Sequence, residues 1–249
     1  MAGKAALDFL YSFSTLLSYL AGMMGFNFSA ASYPASENHL NTERPDGKAA
    51  QIRQRGLTML LNLFTFIVIP VYTLLFAGNF NLFTFNFSVI GNLLGRKRAF
   101  ALWGILAGAF YYSVLSSVSC RLNLPKPVRR LTDAALLFLF FAVATPYLPD
   151  ELPFKSFLHI VFALISSLCL ILYLYFASER LFRLDRQAGS AALWSLGAIL
   201  SVSASLLLSV GIISSALEIF FTFSTVFLSR FLLAAAKRSP QPAGILAEA

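Results

Sequence analysis

Apolar residues fill this chain in long blocks, and short polar stretches separate the blocks. After residue 56 six blocks reach spanning length: Leu57–Gly78, Phe100–Cys120, Leu131–Leu148, Phe157–Ala177, Ala191–Val210 and Ile213–Ala236. A helix needs about 20 mostly apolar residues to cross the hydrocarbon of a bilayer. The breaks between blocks carry turn chemistry: "RLNLPKPVRR" over Arg121–Arg130, "TPYLPDELPFK" over Thr145–Lys155, and the mixed-charge "SERLFRLDRQAGS" over Ser178–Ser190. The last break, Val210–Ser214, is so short that the fifth and sixth blocks are expected to form a tight antiparallel hairpin. The pattern predicts an all-α, polytopic membrane helix bundle of six transmembrane helices.

An N-terminal stretch, Leu7–Phe28, adds an amphipathic or a seventh helix. Asp8, Tyr11, Ser12, Thr15, Ser18, Tyr19 and Gly22 recur at helical spacing, with Phe9, Leu10, Phe13, Leu16, Leu17 and Leu20 opposite. That face suits a helix lying in the interface, or a span packing its small polar side on the bundle. Ser29–Arg55 is polar and reads as a loop. The organisation is therefore 1–56 for the helix and loop, 57–236 for the bundle and 237–249 for a cytoplasmic tail.

Composition agrees with lipid as the solvent. The chain has 249 residues, 58% of them hydrophobic and 12% charged, with mean hydropathy +0.74. A soluble domain carries about a quarter charged residues. The net charge of +8 invites a nucleic-acid reading. The cations, however, sit between apolar runs, where they set topology. Arg53, Arg55, Arg121, Lys126, Arg129, Arg130, Arg180, Arg183, Arg186, Lys237 and Arg238 fall on one side, and Arg96, Lys97, Arg98 and Lys155 on the other. Eleven against four places both ends of the six-helix unit in the cytoplasm by the positive-inside rule. No nucleic-acid partner is expected; the expected partners are membrane lipids, and a homo-oligomer is open. The first apolar run lacks a small-residue cleavage site, so no cleavable signal is expected.

Little in the chain announces chemistry. Cys120 and Cys169 have no ligand spacing and read as small hydrophobes. Two histidines, His39 and His159, supply no metal framework, and no cofactor is expected. Hydrolase, phosphate-loop and dinucleotide fingerprints are absent. Intramembrane charge is costly and marks function, which singles out Glu218 early in the last block and His159 early in the fourth. Glu218 also has a bland reading, an interfacial carboxylate bonded to Ser214 or Ser215. Arg230 reads as a cation snorkelling to the cytoplasmic face. Asn62 reads as interhelical glue, and Asp133 as a partner for a helix N-terminus with Thr132 near the cap. Asn27 and Asn86 each begin an Asn-Phe-Ser glycosylation pattern.

The stretch Asn79–Gly104 breaks the first two blocks apart. Phe83, Phe85 and Phe87 alternate with Thr84, Asn86 and Ser88, a period of two that suits an extended or re-entrant segment. Gly91 and Gly95 permit turns. Arg96, Lys97 and Arg98 then stand on the side where cations are scarce, as an interface anchor or a lipid-phosphate site.

Three segments carry a family resemblance: "FSVIGNLLGRKRAFALWGI" (Phe87–Ile105), "FKSFLHIVFALISSLCLILYLYF" (Phe154–Phe176) and "ALEIFFTFSTVFLSRF" (Ala216–Phe231). Together they resemble the bacterial six-helix membrane proteins of the DUF998 type and, more distantly, the Frag1/DRAM/Sfk1 proteins. That pattern has a Ser-Asp-x-Gly-like turn after the first helix, a His early in the fourth and an acidic residue in the last. Ser88, Gly91, His159 and Glu218 occupy those places, while Val89 stands where the family often has an acid. The resemblance implies a six-helix protein of a bacterial plasma membrane, with lipid-linked or trafficking roles among the distant relatives.

The leading functional reading is a non-enzymatic membrane protein. It binds a lipid or small ligand at the extracytoplasmic end of the bundle through Asn86, Ser88, Gly91, Arg96, Arg98, His159 and Glu218. A small transporter or channel is the alternative. A third reading is an intramembrane lipid-modifying enzyme with His159 and Glu218 as its acid–base pair.

Overall fold

A computed structural model of the chain describes residues 55–78 and 80–238, and among them every regular element is a helix. α1 runs Arg55–Ala77. It is followed by α2, Phe87–Asn92; α3, Lys97–Arg121; α4, Lys126–Ala144; α5, Pro153–Leu184; α6, Arg186–Val210; and α7, Ser215–Arg238. The expected helix Leu7–Phe28, the loop after it with His39 and Asn27, and residues 239–249 lie outside the described residues.

Five helices, α1, α3, α5, α6 and α7, are long and apolar enough to cross a membrane. α4 falls short of that measure for a visible reason. It starts five residues before the predicted Leu131, with Pro125 as its N-cap, and so takes in Lys126, Arg129 and Arg130. It also stops at Ala144, four residues before the predicted Leu148. Thr145 has extended geometry (φ −82°, ψ 123°), the conformation forced on a residue that precedes proline, here Pro146. Thr132 and Asp133 consequently lie well inside the helix and not at its cap.

The polar stretch Ser178–Ser190 is helical where its sequence suggests a loop. α5 continues to Leu184, and Asp185 alone separates it from α6. Asp185 caps α6 by accepting the Ala188 amide at 3.0 Å. The mixed charge of this stretch is partly an i,i+4 pair, Glu179–Arg183, on the exposed surface. Pro70 does not end α1. The helix widens into a π turn at Phe64–Val68 just before it, and the ring sits in the turn that follows.

α7 is the hub. Of its apolar window 83% of residues are buried, against 22–33% for the other four candidate spans. It packs on α1, α3, α5 and α6, while α4 is held by α3 and α5. A helix surrounded on all sides needs no polar stripe, and the buried side chains of α7 cover its whole circumference, Ile219, Phe220, Phe223, Val226, Leu228 and Leu232 among them.

Arg230 corrects its expected role. It does not snorkel: only 8% of its surface is exposed. Its Nε donates to Asn62 Oδ1 at 2.9 Å, so Asn62 is the expected glue, joining α1 to α7.

Candidate functional site

Of the two expectations for the segment between α1 and α3, extended or re-entrant, the extended one fails: the chain turns at residues 82–84 and then forms the short helix α2. Local chemistry explains the change. Asn86 adopts the N-cap conformation and its Oδ1 accepts the Val89 amide at 2.8 Å. The start of α7 holds the same segment from the far end of the chain. Ser215 and Ala216 donate their amides to the carbonyls of Phe85 and Leu82 at 2.7 and 2.8 Å. In return the Phe87 amide donates to Glu218 Oε2 at 2.6 Å. The free amides at the start of α7 thus find loop carbonyls, and the free amide at the start of α2 finds the Glu218 carboxylate. The Glu218 carboxylate is bonded to α2, and not to Ser214 or Ser215.

α2 presents Ser88 to α5. The Ser88 hydroxyl lies 2.5 Å from His159 Nε2. The other ring nitrogen, Nδ1, meets two backbone carbonyl oxygens, Ala142 at 2.7 Å and Thr145 at 3.1 Å. Carbonyls only accept, so in the neutral ring the proton sits on Nδ1 and Nε2 carries the free lone pair. Ser88 then donates its hydroxyl proton to Nε2. The ring is held in place by Phe100 and Tyr147, with centroids at 6.4 and 5.6 Å. The two carbonyls are available because α4 ends at Ala144 and Pro146 bars its continuation.

Ser88, His159 and Glu218 line one end of a cavity of about 150 Å³ between α4 and α7, with α3 and α5 as its side walls. From there the cavity follows the bundle axis past Phe100, Trp103, Ala107 and Leu139 to Leu115, Thr132 and Leu170. Along α4 the lining extends from Ala142 back to Thr132, a rise of about 15 Å. The cavity lining is mostly apolar, with Ser88, His159 and Glu218 at one end and the hydroxyl residues Tyr111, Thr132, Ser166 and Ser167 farther along it. A wider groove of about 550 Å³ runs along the outside between α3 and α4, from Lys97 past Gly104 and Gly108 to Tyr112. Leu136, Leu139 and Val143 line both spaces and form the wall between them.

The remaining residues singled out in the sequence stand elsewhere. Arg96 caps α1: its guanidinium donates to the carbonyls of Leu75 and Phe76 at 3.3 and 3.0 Å and covers the Phe80 ring. Arg98 is exposed and does not line the cavity. Asn86 acts as the helix cap. Gly91 gives α2 its close seat on α3, where a Cβ would stand 2.8 Å from Phe100 Cβ. Of the seven residues expected at this end, the fold therefore brings Ser88, His159 and Glu218 to one cavity. The partner of His159 is Ser88, however, and not Glu218. Sequence reasoning misses Phe100, Trp103, Thr132 and Thr222 as lining residues, because nothing in a mostly apolar run separates a cavity wall from a lipid-facing or core position. Among the described residues no group of three or more His, Cys, Asp or Glu could hold a metal ion.

No family model, no curated protein and no solved structure matches the chain.

Proposed function

We infer that this is a polytopic integral membrane protein that takes a lipid, or another amphiphile with one apolar tail, into the cavity between α4 and α7. The observation that carries the reading is the extent and polarity of that cavity: elongated and mostly apolar, with Ser88, His159 and Glu218 gathered at one end. An apolar tail lying along the axis leaves its polar head beside those three side chains. Such sites are concave and mostly apolar with a few converging polar groups. A cavity of about 150 Å³ accepts roughly one aromatic ring or a short alkyl segment. Longer tails require the side chains of the shared wall, Leu136, Leu139 and Val143, to move toward the outer groove.

The charge bias of the connecting segments supports six spans, with the Ser88 end facing away from the cytoplasm. On that orientation the amphiphile enters from the outer leaflet. The sequence pattern around Ser88, Gly91, His159 and Glu218 supports membership of the DUF998-type group.

A photoactivatable fatty acid carrying a tail diazirine tests the reading on the full chain in nanodiscs. Crosslinks are expected on residues of the cavity wall. Ala107→Phe and Ala163→Phe, which fill the cavity from α3 and from α5, should remove them, while Leu208→Phe on the exposed face of α6 should not. Crosslinking that is equal in all three variants overturns the reading.

A further inference from the structure

We propose that Ser88 is a nucleophile, activated by His159, that accepts an acyl group from an ester or thioester of the amphiphile; the inference rests on the binding reading above. Three observations combine. The hydroxyl and Nε2 are 2.5 Å apart, and the proton on Nδ1 is committed to the Ala142 and Thr145 carbonyls. This is the arrangement of nucleophile, base and orienting group that covalent catalysis by serine requires, with backbone carbonyls in the orienting role. The pair also lines an open cavity, so a carbonyl carbon can approach Ser88 Oγ. A Ser–His pair that only pinned α2 to α5 would need no such space. Finally, the mostly apolar lining continues for about 15 Å away from the pair, which places an acyl tail along the axis and its carbonyl at Ser88.

The chemistry balances without an oxidant or reductant. Ser88 Oγ forms a bond to the carbonyl carbon as Nε2 takes the hydroxyl proton, and the carbonyl electron pair moves onto oxygen. When the C=O bond re-forms, the C–O or C–S bond to the leaving group breaks, and that group leaves with the proton from Nε2. The acyl-serine is then attacked by water or by a second alcohol. Nε2 removes the proton of that attacker and returns it to Ser88 Oγ. Glu218 is a positioning residue: through the Phe87 amide it fixes the turn of α2 that carries Ser88.

The test uses the full chain in nanodiscs with two probes, hexadecyl fluorophosphonate for the nucleophile and the diazirine fatty acid for binding. The phosphonate should give a single adduct, formed with loss of fluoride, that peptide mapping locates on Ser88. S88A should abolish it. H159Q should slow it by about 100-fold or more, and both variants should still elute as a single folded species on size exclusion. S88A removes a single oxygen, and H159N is a second, smaller amide variant if H159Q fails to fold. Crosslinking with no adduct on Ser88 overturns the nucleophile and leaves the binding reading standing. An adduct that forms equally fast in H159Q and H159N overturns activation by His159. Loss of both signals in the unaltered chain overturns this inference and the binding reading together.

Discussion

Arg230 Nε donates to Asn62 Oδ1 across 2.9 Å, joining α7 to α1 over 168 residues of chain. The guanidinium is buried, and its NH1 has no hydrogen-bond partner among the described residues. Such a pair is asymmetric: removing one member strands the other, whereas removing both can be neutral. Asn62→Ala is expected to cost about 1–3 kcal/mol. The double variant Asn62→Leu with Arg230→Met should recover most of that loss. Thermal unfolding of the detergent-solubilised protein checks both, and a double variant less stable than Asn62→Ala would contradict the account.

Glu218 accepts the Phe87 amide, which is otherwise buried without a partner. Glu218→Gln keeps an acceptor oxygen there and should retain stability to within about 1 kcal/mol. Glu218→Ala orphans the amide and should lose about 1–3 kcal/mol. Equal melting temperatures for the two variants would mean that the carboxamide does not replace this bond.

Asn86 caps the one-turn helix that carries Ser88. Asn86→Asp preserves an acceptor, and Asn86→Ala should destabilise by about 1 kcal/mol. Because α2 is short, the loss falls on the position of Ser88. Phosphonate labelling should therefore slow in Asn86→Ala and stay close to normal in Asn86→Asp.

Gly189 and Gly197 lie on the same helix in opposite circumstances. A Cβ at Gly189 would stand 2.1 Å from Phe182 Cα and 2.2 Å from Phe182 N, which are backbone atoms that cannot step aside. At Gly197 nothing lies within 4 Å. Gly189→Ala should destabilise by more than about 2 kcal/mol as α5 and α6 are forced apart. Gly197→Ala should stabilise by about 0.5–1 kcal/mol through helix propensity. Melting curves of the two variants are expected to shift in opposite directions.

Orientation has a direct assay. In a background lacking Cys120 and Cys169, Leu94→Cys is expected to react with a membrane-impermeant maleimide on intact cells. Lys126→Cys should react only after permeabilisation. Both positions are exposed on the protein, at opposite ends of α3. The reverse labelling would overturn the positive-inside assignment.

The sequence by itself determined the long helices, the tight α6–α7 hairpin and the prominence of His159 and Glu218. Each of these follows from local quantities: the length of an apolar run, the brevity of a break, the rarity of a titratable residue in an apolar setting. It did not determine where the helices end. Pro146 stops α4 early, the polar stretch between α5 and α6 stays helical, and a π turn carries α1 through Pro70, because hydrogen-bond geometry and not hydropathy decides those points. It misread Arg230, since a cation near a helix end looks the same whether it reaches out to lipid headgroups or in to Asn62. The extended alternative for Phe83–Ser88 also failed, because its alternating pattern yielded to an Asn86 cap and to bonds from α7. Only the tertiary structure decided that Ser88, 71 positions before His159, is the group its Nε2 meets. That pairing depends on α7 holding α2 in place and on α4 ending where its carbonyls can fix the imidazole. Neither condition is written in the residues nearest to the pair.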